Sequence, residues 1–235
     1  MSRAGFALPH PTIGRTRRAR LTAAVVAVVV AALAALVVFD PPWVIEDISS
    51  GSSGSAVAGS ANLSPDKYVN AIWASKLLPT VKKDAVDFRT LLAELKRDPD
   101  AASKKFGHYT VLDAPPAFLV KGTGRVVSVD TAALVSKAGI ALGQGSKADV
   151  FMELPPIFSG TDVRDALPFI NFNQFENQVQ YGEVAIAINA KIAEVSFAGV
   201  NVDKLKGKRL AFTGAFTRAT SPTPLFTPIT IKEEK

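Results

Sequence analysis

The sequence predicts an α+β protein carried behind an N-terminal transmembrane helix. Three observations carry that prediction: an uncharged apolar run at Leu21–Phe39, helical apolar spacing between Ser64 and Phe106, and short or alternating apolar runs punctuated by Gly and Pro from Ala117 onward. With 235 residues and 48% hydrophobic content, the chain has enough apolar side chain to bury a sizeable core.

Residues 1–20 form a basic tail. Arg3, Arg15, Arg17, Arg18 and Arg20 fall here with no Asp or Glu among them. Removing these five from the 27 basic residues leaves 22 against 21 acidic ones, so the net charge of +6 belongs to the tail. A body near +1 lacks the electrostatic footprint of a nucleic-acid binder, and none is expected as a partner.

Residues 21–39 read LTAAVVAVVVAALAALVVF, without a charge, an amide, a Gly or a Pro. As a helix this run is about 28 Å long, the thickness of a bilayer core. Five arginines precede it, and Asp40, Pro41, Pro42 and Trp43 follow, so the positive-inside rule puts the N-terminus in the cytoplasm and the rest outside. The competing reading is a cleaved signal peptide. Its apolar region is typically about 7–15 residues and ends at small residues, which DPPW does not supply. Arg17–Arg18 also permits a twin-arginine reading, although a pair within an arginine-rich tail is a weak motif. The expected localisation is the cell membrane, single-pass, with the C-terminal domain extracytoplasmic.

The chain has no cysteine, which excludes a disulfide framework, a Cys–His nucleophile and a lipid-bearing cysteine within these residues. Residues 40–63 include the Gly-, Ser- and Ala-rich ISSGSSGSAVAGSANLS and read as a flexible linker with a reach on the order of 20 Å. The extracytoplasmic domain is then residues 64–235.

Ser64-Pro65-Asp66 is a helix start, and the helix carrying Tyr68, Ile72 and Trp73 is expected to stop near Pro79. A second helix is predicted over Asp84–Arg97, with Phe88, Leu91, Leu92 and Leu95 on one face, ended by Asp98-Pro99-Asp100. A further helical turn runs to Phe106-Gly107. The spacing then changes. Ala117–Lys121 and Arg125–Asp130 read as two strands of a hairpin turned by Gly122-Thr123-Gly124. Lys137–Gly143 is a weaker strand, and Asp149–Leu154 a stronger one closed by Pro155-Pro156. A longer helix is expected over Asn173–Glu194, with Phe175, Val179, Val184, Ile186, Ile188 and Ile192 as its apolar set. The alternation within EVAIAINAKIAEV keeps a strand open as the alternative. RLAFTGAFTR and FTPITIKEE close the chain as strands.

Chemistry is concentrated in GTDVRDALPFINFNQFENQ, residues 160–178. Asp162, Arg164, Asp165, Asn173, Gln174, Asn177 and Gln178 are the candidate ligand- or partner-binding residues. Two readings compete. In one, acids and amides cap helix ends, Arg164 forms a fork-shaped salt bridge and the phenylalanines fill the core. In the other, the same groups pair with the hydroxyls of a sugar. A third possibility is catalysis by Asp162 and Asp165, since glycoside hydrolysis needs two carboxylates, but Arg164 between them points to charge neutralisation. The only histidines, His10 and His108, lack partners at metal-ligand spacing, and GTGR and GQGS lack the spacing of a phosphate loop. No catalytic residue, metal site or cofactor is expected.

The blocks YVNAIWASKLLPTV (Tyr68–Val81), Ala85–Leu95, FLVKGTGRVVSVD (Phe118–Asp130), residues 160–178 and Leu205–Ile231 resemble the predicted periplasmic lipoprotein family of unknown function often encoded beside sugar ABC transporters. The resemblance spans about Pro65 to the C-terminus. It implies an exported domain of oligonucleotide/oligosaccharide-binding (OB)-type barrel units, with duplication of the barrel as a further expectation. It also implies an accessory or interaction role in sugar ABC transport, with transporter subunits or a sugar as partners beside the membrane. The family supplies no catalytic residues. Its members are described as lipoproteins, and this chain departs from them in having no cysteine to acylate.

Overall fold

Gly122 and Gly124 do not turn the chain. In the computed structural model, which describes residues 64–110, 114–218, 221 and 223–234, they lie inside one strand. This is β2 (Ala117–Asp130), which follows the two-residue β1 (Val86–Asp87). The expected hairpin fails because β2 changes partners. Its first half pairs antiparallel with β5 (Arg209–Thr217), and its second half pairs antiparallel with β3 (Lys137–Ala141). Where the two meet, the strand bends past its neighbours. A Cβ on Gly124 would lie 2.4 Å from Ile140 Cγ2 and 2.8 Å from the Ala141 carbonyl oxygen. Glycine here lets strands approach closely at a barrel bend.

β4 (Val150–Glu153) pairs antiparallel with β3, and β6 (Leu225–Glu234) pairs antiparallel with β5. β4 and β6 join in parallel through Phe151↔Leu225 and Met152↔Phe226. The ring β2-β3-β4-β6-β5 therefore closes on itself through β2–β5, with β1 appended to β2 in parallel. Among the described residues there is one such barrel, which corrects the expectation of a duplicated one.

Alternation fills the barrel. Val150, Met152 and Leu154 point inward with Ile140, Val126 and Val120, all fully buried. Phe88 inserts from outside the ring and packs against Phe216 and Phe226 at centroid distances of 5.3 and 5.4 Å. Aromatic residues of this size dominate core energetics.

Phe88 opens a helix that starts later than its sequence pattern predicts. Val86–Asp87 pair with β2, so Asp87 becomes the cap, accepting from the Thr90 amide at 2.9 Å. The helices in chain order are α1 (Pro65–Ile72), α2 (Leu78–Asp84), α3 (Phe88–Arg97), α4 (Pro99–Phe106), α5 (Asp162–Asp165) and α6 (Gln178–Ser196). Pro79 does not stop the first helix. The ladder widens into a π-turn over Trp73–Leu77, and Pro79 falls in the opening turn of α2, within one continuous helical run. Ser64 holds the cap position of α1 without a side-chain hydrogen bond.

α6 begins at Gln178 rather than Asn173. Asn171 and Gln174 close a capping box around a separate 3₁₀ turn, Phe172–Gln174, and the chain restarts at Asn177. Val184, Ile188 and Ile192 are buried as expected, but Val179 and Ile186 are each 69% exposed. Tyr181 takes part in the buried face instead. Among the described residues no helix is long and apolar enough to cross a membrane. The Leu21–Phe39 segment, the basic tail and the linker lie outside them.

Candidate functional site

Within residues 160–178 the polar groups separate into two sets. Arg164, only 8% exposed, donates from Nε and Nη2 to Asp165 Oδ1 at 2.8 and 2.7 Å and from Nη1 to the Tyr181 carbonyl at 3.0 Å. Its guanidinium lies 3.7 Å from the centre of the Tyr181 ring. The Thr161 hydroxyl donates to the other oxygen of Asp165. His108 Nδ1 donates to the Asp165 carbonyl at 2.6 Å, tying in the bridge that His108 forms with Ala117 at the start of β2. Arg164 and Asp165 thus fasten α5 to α6.

The amides complete this junction. Gln174 Oε1 accepts from the Asn171 amide at 3.1 Å and from the Tyr68 hydroxyl at 3.5 Å. Asn177 caps α6 by accepting from the Gln180 amide at 2.9 Å. Asn173 and Gln178 are exposed and make no side-chain hydrogen bond among the described residues.

Asp162 goes the other way. Its Oδ1 accepts from the hydroxyl of Thr217, the last residue of β5, at 2.6 Å. It faces a cleft of about 1580 Å³ that has Glu153 beside it. Glu153 ends β4 and is 1% exposed. It accepts from the Ser159 amide at 3.2 Å, from the Ser159 hydroxyl, and from the Thr227 hydroxyl at 2.8 Å. Burial pushes the Asp162 carboxyl up to about 6; the Thr217 hydrogen bond opposes this, and the negative charges of Glu153 and Asp165 add to it.

Three basic residues, Lys96, Lys137 and Arg218, line the cleft, and two of them have partners of their own. Arg218 reaches the Ser103 hydroxyl at 3.3 Å and Asp100 at 3.6 Å. Lys137 Nζ sits 5.1 Å from the centre of the Phe151 ring. α3 contributes Leu92, Leu95 and Lys96 to the lining, beside Pro115 and Pro116. In barrel terms, Lys137 and Phe151 lie on the second and third strands, and Arg218 and Pro224 belong to the connection between the fourth and fifth.

Residues 27–232 match the family described as predicted periplasmic lipoprotein (DUF2291). The chain belongs to that family. It is thus a predicted periplasmic lipoprotein of unknown function, an extracytoplasmic and membrane-anchored class of protein. No curated protein matches it. A crystal structure of an OB-fold protein from Thermotoga maritima is similar at a TM-score of 0.60 and 17% identity, covering 73% of this chain and 99% of that one. That likeness concerns the fold, and the closed five-strand ring has the OB strand order.

For this family member, only Asp162 of the seven sequence-predicted residues lines the cleft. Glu153, Ser159, Thr217 and Thr227 escape sequence reasoning. The alternation of Val150, Met152 and Leu154 does set Glu153 on the outer face of β4. Only the returning chain at Ser159, and Thr227 from β6, turn that outer position into a buried one.

Proposed function

We propose that this protein is a non-catalytic binding module, anchored by Leu21–Phe39 with its N-terminus in the cytoplasm, that takes a sugar in the cleft beside its barrel as an accessory of a sugar ABC transport system. The observation that carries this reading is the position of the cleft. OB barrels bind oligosaccharides and oligonucleotides across the face of strands two and three and the loops between strands one and two and four and five. Phe151, Lys137, Arg218 and Pro224 belong to that face and to the loop between strands four and five. Two carboxylates in the floor favour hydroxyl donors, and a body charge near +1 disfavours a nucleic acid. The helix anchor answers the lack of a cysteine in a lipoprotein family.

Catalysis is the less favoured reading because the carboxylate pair that invites it is split: Asp165 is held by Arg164 and Thr161 at the helix junction, away from Asp162. The test is thermal unfolding of the detergent-solubilised protein with pentoses and hexoses. A ligand at one hundred times its Kd adds about 2.7 kcal/mol to the stability of the folded state. A rise in Tm with a sugar, and no consumption of that sugar, is the expected result. Unchanged Tm across the panel would remove the sugar, and turnover would make the module an enzyme.

A further inference from the structure

We propose that the floor of the cleft selects a sugar carrying a protonated amine beside its hydroxyls, with Asp162 as the residue that receives the amine. This rests on the cleft being the binding site argued above.

The charges around Asp162 carry the inference. Glu153 faces it from β4, and neither acid has a Lys or Arg within ion-pair distance among the described residues. Lys96, exposed on α3, lines the cleft without an ion pair to either acid, and the remaining nearby bases have other partners. Arg164, two residues away on α5, pairs with Asp165 and covers Tyr181. Arg218, just past β5, turns to Asp100 on α4. Lys137 stands opposite Glu153 in the β3–β4 register, yet its ammonium lies over Phe151. The donors that do reach the acids, Thr217 on Asp162 and Ser159 and Thr227 on Glu153, are neutral.

A neutral sugar hydroxyl adds one more donor and leaves the repulsion between the two carboxylates in place. An ammonium group brings up to three donors and a compensating charge, and charge-assisted hydrogen bonds are roughly twice as strong as neutral ones. The apolar side chains of Leu92 and Leu95 receive the carbon face of the ring. Asp162 titrates near pH 6, so an amine meets a carboxylate above that pH and a neutral acid below it. Binding at pH 5 must therefore displace a proton.

Calorimetric titration of the full-length protein in detergent with glucosamine, galactosamine and mannosamine, each beside its parent hexose and hexose 6-phosphate, tests this. One amino sugar is expected to bind roughly tenfold more tightly than its parent at pH 7.5, an advantage that shrinks severalfold at pH 5. In Asp162→Asn the advantage of the amino sugar over its parent is expected to disappear. A parent hexose or phosphate that binds as tightly as the amino sugar at pH 7.5 overturns the amine inference and leaves the cleft reading intact. An amine preference that survives in Asp162→Asn assigns the amine to another group and overturns the role of Asp162. No binding by any of the nine sugars to a protein that unfolds cooperatively overturns both.

Discussion

Arg164 and Asp162 are two residues apart and belong to opposite kinds of polar surface. At the α5–α6 junction each charge meets its complement: Arg164 has Asp165, the Tyr181 carbonyl and the Tyr181 ring, and the Asp165 carboxylate also has the Thr161 hydroxyl, while His108 holds the Asp165 backbone carbonyl. At the cleft floor Asp162 has a neutral hydroxyl on one side and a second carboxylate nearby. The first arrangement is closed and serves assembly. The second keeps an uncompensated charge in a concave, partly desolvated place, which favours a proton or a ligand. Composition does not distinguish them, because both come from the same run of acids, amides and phenylalanines. What distinguishes them is where the missing charge is supplied.

Breaking the junction is expected to have the largest effect. Arg164→Met leaves Asp165 without its partner among side chains that are only 10% and 18% exposed. Removing one member of a buried pair costs about 3–5 kcal/mol. Urea denaturation at pH 7 is expected to show a loss of that size, and a loss below about 1 kcal/mol would make the pair no more than a surface ion pair.

The floor is expected to respond with the opposite sign. Asp162 has a folded-state pKa raised to about 6 from 3.8, so the folded protein holds this proton more tightly than the unfolded chain. The contribution of the group is greatest below pH 3.8 and is lost as pH rises toward about 6. At about 1.36 kcal/mol per pKa unit, the loss is on the order of 3 kcal/mol. Asp162→Asn keeps an acceptor for Thr217 and has no charge to lose, so it is expected to gain on the natural protein by about that amount between pH 4 and pH 7. Parallel pH profiles of the two proteins would refute the shifted carboxyl.

How far these regions were legible in the sequence follows from the distance over which their partners act. Local signals served well. The helix break at Asp98-Pro99, the apolar face of α3 and the alternation in β4 depend on neighbours within a few residues. The Gly122-Thr123-Gly124 turn misled because glycine marks a reversal and a close strand crossing alike; which one occurs depends on Ile140, well along the chain. Val179 and Ile186 fit a helical apolar set but face outward, since which side α1 covers is a tertiary fact. The amide-rich stretch announced polar chemistry, and most of that chemistry went into caps. Glu153, Thr217 and Thr227 meet across β4, β5 and β6, a convergence that only barrel closure creates.

The amides offer the finest division within the comparison. Asn177→Ala removes the side chain that caps the 19-residue α6, leaving the Gln180 amide unpaired in the first turn. A lost cap of this type costs about 1 kcal/mol. Asn173 and Gln178 flank the same helix start, are exposed, and hold no backbone group. Their alanine variants are expected to stay within about 0.5 kcal/mol of the natural protein in urea denaturation. If either one weakens sugar binding while leaving stability unchanged, the ligand reaches across to the junction, and the boundary drawn between the closed and open surfaces moves with it. If Asn177→Ala alone lowers stability and none of the three alters binding, the amides belong wholly to assembly and Asp162 is the one candidate side chain of the stretch that faces a ligand.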